Sequence, residues 1–108
     1  MIAEPYPVRW TGQRTAVVGL PEHMGLSNSA EIHSELLSVI NRGASVLIAD
    51  MTATVSCDHF GTDAVARAYQ RAVSRGTDLR LVVTSQSVRR MLSIGGFDRL
   101  VSVDPPRG

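Results

Sequence analysis

The feature that most constrains this chain is a stretch of helical period leading within a few residues into a run that is apolar at every position. Ile32, Leu36, Val39 and Ile40 fall on one face of a helical wheel, and Gly43 supplies the left-handed stop that such a helix favours. Val46-Leu47-Ile48-Ala49 then has the pattern of a central strand covered by helices on either side or by other core. The pattern recurs downstream. Phe60, Ala64, Ala68 and Ala72, with Val65, Tyr69 and Val73 alongside, write a second amphipathic helix ended by Gly76. Residues 79–84 predict a strand, residues 87–94 a short helix stopped by Gly95-Gly96, and residues 100–103 a last strand. Upstream, residues 8–11 and 15–20 are β-prone runs joined at Gly12-Gln13 as a hairpin. The order ββαβαβαβ predicts an α/β fold whose mixed sheet has parallel crossovers behind an antiparallel first pair.

With 108 residues, 44% of them hydrophobic, the chain is expected to form one domain spanning residues 1–108. Residues 1–7 read as an extended lead-in and residues 104–108 as a tail. Eleven basic residues against 10 acidic ones give a net charge of +1, too little to steer the chain toward nucleic acid or an acidic membrane surface. The start Met1-Ile2-Ala3-Glu4-Pro5 lacks the pattern of a signal peptide, no stretch reaches the roughly 20 apolar residues needed to cross a bilayer, and the lone Cys57 cannot form an internal disulfide. A cytoplasmic location without direct membrane contact is the expectation.

The chemistry-bearing residues gather at two helix starts. Asn28-Ser29-Ala30-Glu31 reads as a capping box ahead of the first helix, and Asp58 as the cap of the second. His59 reads as an exposed loop residue, as a partner contact or pH-sensitive group, or as a phosphoryl acceptor. Phe60 either packs into the core or stands exposed as a binding anchor. Cys57 is expected to be a small buried hydrophobe, and Thr62 to support the first turn of the helix. Cys57, His59, His23 and His33 lack the paired spacings of a metal site, so no metal or other cofactor is predicted. The chain has no nucleophile elbow, phosphate-binding loop, dinucleotide turn or suggestive carboxylate pair, and so is not read as an enzyme.

Several segments resemble the STAS domain, shared by bacterial anti-sigma factor antagonists and the tails of sulfate transporters. They are Val46-Leu47-Ile48-Ala49-Asp50-Met51-Thr52, Cys57-Asp58-His59-Phe60-Gly61, Gly76-Thr77-Asp78-Leu79-Arg80-Leu81-Val82-Val83, Val88-Arg89-Arg90-Met91-Leu92 and Gly96-Phe97-Asp98-Arg99-Leu100. The resemblance implies a sheet with helices mainly on one face. It also implies a non-catalytic bacterial antagonist that docks on an anti-sigma factor, often a serine kinase, and so releases a sigma factor for transcription. The docking face it implies comprises Gly25, Ser27, Asn28, Asp58, His59, Phe60, Gly61 and Thr62, with Gly61 allowing close approach.

In the family the first serine of an Asp-Ser-Ser-Gly turn takes the phosphoryl group. Here His59 and Phe60 replace both serines, Gly25 stands where an Asp is usual, and Asp104-Pro105-Pro106-Arg107-Gly108 stands where a last helix commonly follows. The serine switch is therefore not expected at position 59, little or no phosphate transfer is expected, and Thr62 is the nearest substitute hydroxyl. Two further readings stay open. One is an accessory or sensor subunit of a transporter or stress-signalling assembly, and the other an enzyme using His59 in phosphoryl transfer.

Overall fold

Gly12, with φ +53°, and Arg14, with φ +60°, turn the chain between its first two strands in the left-handed region that a tight hairpin needs. The computed structural model describes residues 6–102 apart from residue 13. The lead-in residues 1–5, the tail at 104–108 and Val103 of the expected last strand lie outside the described residues. The strands are β1 (Val8–Thr11), β2 (Thr15–Gly19), β3 (His23–Met24), β4 (Val46–Met51), β5 (Ser56–Cys57), β6 (Asp78–Val83) and β7 (Val101–Ser102). The helices are α1 (Ser29–Asn41), α2 (His59–Arg75) and α3 (Gln86–Ile94), with a 3₁₀ turn at Asp98–Leu100 before β7.

The main sheet has the order β1-β2-β4-β6-β7. β1 is antiparallel to β2, and every later neighbour is parallel. The mixed sheet and the helix-strand alternation follow the sequence pattern. Each crossover steps to the adjacent strand in the same direction, so right-handed connections place the helices on one face. Ala16, Val18, Leu47, Ala49, Met51, Leu79, Leu81 and Val83 point into that layer, against Ile32, Leu36, Ile40, Val65, Ala68, Val88 and Leu92. The opposite parity is different. Val17 and Val82 are buried there, but Val46 and Ile48 of β4 are only half-buried, and Asp78 and Arg80 form an exposed ion pair at 2.8 Å. This corrects the expectation that β4 is covered on both sides. A sheet wound in one sense has a single helical layer.

Other expectations change, and β6 and α3 each begin one residue earlier than expected, β6 ending at Val83. The second β-prone run stops at Gly19 rather than Leu20, although the Leu20 amide still donates to Asp50 O at 2.9 Å. The last strand is preceded by a 3₁₀ turn that takes up Leu100. The capping box at α1 does not form. The Asn28 side chain accepts no amide of the helix, and Glu31 instead accepts the Tyr6 hydroxyl at 3.1 Å. Burial of Tyr6, then the hydrogen bond and charge of Glu31, push the phenol up to about 12.

The sequence pattern also missed a second, two-stranded sheet, in which β3 and β5 pair in parallel. Two-residue strands carry no period to detect. Their pairing brings the loop before α1 against the loop before α2, and this positions the candidate site.

Candidate functional site

Asp58 has extended backbone angles, φ −92° and ψ −173°, and its Oδ1 accepts from the Phe60 amide at 2.9 Å and the Gly61 amide at 3.1 Å. Two of the orphan donors of α2 are thereby satisfied, and the carboxylate meets the positive end of the helix dipole. The cap fixes the direction of the first turn. His59 and Phe60 are both exposed, with ring centroids 4.2 Å apart and planes at 35°. Phe60 is 38% exposed, so it stands outside the core. The inward stripe of α2 begins one residue later, at Gly61, and continues through Ala64, Val65, Ala68 and Ala72.

Gly61 itself is buried. A Cβ there would lie 2.9 Å from Cys57 Sγ, Met24 Cβ and Met24 O, so the close approach it permits is to the β3–β5 ribbon of its own chain. Gly61, expected among the docking residues, is thus buried beneath the helix start and not presented on it. Thr62 is half-buried, and its hydroxyl donates to Asp58 O at 3.1 Å in the first turn. Cys57 is buried, 3.7 Å from Thr62 Oγ1. Burial pushes its thiol up, a hydrogen bond with Thr62 works against that, and the Asp58 charge adds to it.

The loop before α1 lies against this turn. Gly25 O accepts the Asn28 amide at 3.1 Å and the Ser29 amide at 2.8 Å. The Asn28 side chain folds back, accepting from the Gly25 amide at 3.0 Å and donating to His23 O at 2.8 Å. A Cβ on Gly25 would stand 2.8 Å from Asp58 Oδ2. The glycine thus lets the Asp58 carboxylate sit against the loop. Leu26 and Ser27 are exposed beside it, Leu26 at 69%. A shallow cleft of about 350 Å³ is lined by His23, Met24, Gly25, Leu26, Ser27, Ser56, Cys57 and Asp58. A second groove, of about 320 Å³, runs between α2 and α3 past His59, Thr62, Met91, Ile94 and Phe97.

Sequence reasoning passed over one constellation in the first cleft. His23 Nδ1 lies 2.7 Å from Ser56 Oγ, and His23 Nε2 lies 3.5 Å from Glu22 Oε1. The register of β3 and β5 sets His23 directly opposite Ser56. Residues so far apart in sequence carry no shared local signal. Among the described residues no three His, Cys, Asp or Glu side chains cluster as metal ligands, and no helix is long and apolar enough to cross a membrane.

Fold and site together define a small α/β domain in which, among the described residues, the strand order runs in one sense, without the reversal that makes a switch-point crevice in open α/β sheets. Its polar and aromatic features lie instead on a capped helix start and the adjoining loop. The family model of the STAS domain matches residues 8–106, and the chain belongs to that family.

Solved structures share the fold at low identity. The anti-sigma factor antagonist SpoIIAA in its unphosphorylated form matches with a TM-score of 0.77 at 16% identity, over 90% of this chain and 85% of that one. An anti-sigma factor antagonist from Mycobacterium paratuberculosis matches with a TM-score of 0.80 at 15% identity, over 92% and 85%. The Bacillus cell fate determinant SpoIIAA in its phosphorylated form matches with a TM-score of 0.72 at 15% identity, over 90% and 88%. A comparison with curated protein sequences finds no significant match.

Proposed function

We propose that this chain works in the cytoplasm as a single, non-catalytic regulatory domain that docks on an anti-sigma factor and thereby releases a sigma factor. Its docking face is the start of α2 together with the loop at Gly25 to Asn28. Membership of the STAS family and the fold shared with anti-sigma factor antagonists support the reading. The observation that carries it is the exposed pair His59 and Phe60, their rings in tilted contact, held at the helix start by the Asp58 cap. An aromatic pair fixed in advance loses little conformational entropy on binding, and exposed aromatics are over-represented among residues that dominate interface energies. Position 59 has no hydroxyl, so a serine switch has no acceptor there. The His59 ring has the tilted Phe60 ring as its neighbour, an arrangement suited to contact rather than to nucleophilic attack.

The test is to titrate the chain by calorimetry against the anti-sigma factors encoded in its native host. Wild type should bind one of them, and Phe60→Asp should weaken that binding by tenfold or more, about 1.4 kcal/mol, with an unchanged melting curve. Equal binding by Phe60→Asp, or no binding by any of these factors, would sink the reading.

A further inference from the structure

The small net charge conceals an uneven distribution. Arg14 of the hairpin, Arg42 at the C-cap of α1, and Arg71 and Arg75 in the last turns of α2 all lie at the end where these helices finish, and all four are exposed. This end is the opposite one from His59 and Phe60, since α2 is 17 residues long, about 25 Å at roughly 1.5 Å per residue. Among the described residues none of the four arginines makes a salt bridge, and the acidic side chain at this end, Asp78, is already engaged by Arg80 at 2.8 Å. The negative ends of the helix dipoles favour cations here. They attract charge without requiring that it be held in one geometry.

Three of the four are nevertheless held. Arg14 Nε donates to Gly43 O at 2.9 Å and Arg71 Nε to Asn41 Oδ1 at 3.1 Å, so guanidiniums from the hairpin and from α2 are both tied to the end of α1. Each tie uses Nε and leaves the two terminal nitrogens, a fork able to grip a carboxylate through paired hydrogen bonds. Arg42 comes between the two anchor points in the chain, with its guanidinium carbon 5.5 Å from the centre of the Trp10 ring. The backbone beneath is fixed as well. Arg14 O accepts the Ser45 amide at 2.8 Å, and Arg14, with φ +60°, is the one non-glycine among the described residues in the left-handed region. Glycine would adopt that conformation without strain, so the side chain kept there has a use.

We propose that this arginine strip is a second docking surface and that its partner is an acidic segment of another protein, a run rich in Asp and Glu. Forks fixed at separate points match carboxylates carried one by one along a chain. Single-stranded nucleic acid would call for an open aromatic face on which bases stack, and the face of Trp10 lies under Arg42. An anionic bilayer would call for long apolar side chains reaching past the charges, and this end offers Trp10, beneath a guanidinium, and the short Val73. The strip shares no residue with the start of α2. Both surfaces can therefore be occupied at once, and neither reading depends on the other.

The test titrates the purified chain into a fluorescein-labelled oligoglutamate peptide and reads its anisotropy. Emission of Trp10, the single tryptophan, reports on the place of binding when unlabelled peptide is used. Binding should be micromolar, should shift the Trp10 emission as the peptide draws Arg42 from the ring, and should weaken at least about tenfold as salt rises from about 0.05 to 0.5 M. Arg42→Gln combined with Arg71→Gln should weaken it by about tenfold, and Arg14→Lys, which keeps the charge but loses the fork, severalfold, both with the melting curve of wild type. Arg90→Gln combined with Arg99→Gln, exposed charges on α3 and the 3₁₀ turn, should leave it unchanged. No binding, full affinity in the Arg42 and Arg71 variant, or an equal loss in the Arg90 and Arg99 variant would overturn the proposal. So would tighter binding of oligothymidylate or of phosphatidylserine vesicles than of oligoglutamate, or self-association that the Arg42 and Arg71 changes abolish, which would put a second copy of this chain on the strip.

Discussion

The two helices α1 and α2 begin side by side, with Ser29, Ala30 and Phe60 lining one groove, yet their first turns are built in opposite ways. At α2, Asp58 turns its side chain into its own helix and binds two amides. At α1, Asn28 turns its side chain away from the helix, to Gly25 and His23, and orders the preceding loop. The difference follows from what each helix rests on. α1 buries Ile32, Leu36, Val39 and Ile40, and its first turn receives support from the Gly25 carbonyl. α2 buries mainly small residues, Gly61, Ala64, Ala68 and Ala72 beside Val65, while presenting an aromatic pair at its start. A helix whose first turn is the presented surface has more need of a fixed start.

The largest expected contrast is steric. Gly61→Val places carbon against Cys57 Sγ and Met24, both part of the packed ribbon, and should lower stability to urea by about 3 kcal/mol. Ala30→Val, in the exposed first turn of α1, should stay within about 0.5 kcal/mol of wild type. Equal losses at the two positions would mean that the α2 start is not the tighter of the two. Capping gives a smaller contrast. Asp58→Ala should cost about 1.5 kcal/mol by removing a helix cap. Asn28→Ala should cost about 0.5 kcal/mol globally, while hydrogen exchange at the Gly25 amide speeds up as its acceptor is lost. A larger global loss at Asn28 than at Asp58 would reverse the comparison.

These two starts also show where the sequence could be read and where it could not. Asp58 was legible because a cap is local: the acceptor and its two donors lie within three residues. The three helices and the main strands were legible for the same reason, since apolar period and glycine stops are written in consecutive residues. Asn28 and Glu31 had equally good local chemistry for a capping box, but longer-range partners outcompeted it. Glu31 found Tyr6, 25 residues away. His23 and Ser56 were illegible as a pair because only the ladder between β3 and β5 brings them together. Phe60 fell between its two readings because an i, i+4 spacing places it at the edge of the stripe, and only the packing of Gly61 against Met24 decides the rotation of the helix. Coverage of β4 likewise depended on the direction of the crossovers, which no single strand encodes.

The smallest effect concerns the residues just before the two caps, Cys57 before Asp58 and Ser27 before Asn28. Cys57 is buried and Ser27 exposed, so a thiol should behave differently at the two positions. Burial raises the Cys57 thiol above its ordinary value of 9.0, the Thr62 hydrogen bond offsets part of this, and the Asp58 carboxylate reinforces it. A raised value means that the fold favours the neutral thiol. Its contribution to stability is therefore complete below the unfolded value and is lost as the pH rises through the folded one. At pH 8, iodoacetamide should alkylate native Cys57 at least about tenfold more slowly than the urea-unfolded chain, through lower access and a smaller thiolate fraction. Thr62→Val, which removes the hydroxyl that offsets part of the rise, should slow the reaction further. Ser27→Cys in a Cys57→Ala background should react at the rate of an unfolded thiol. Comparable rates at the two positions would show that the ribbon beneath α2 opens as readily as the loop before α1.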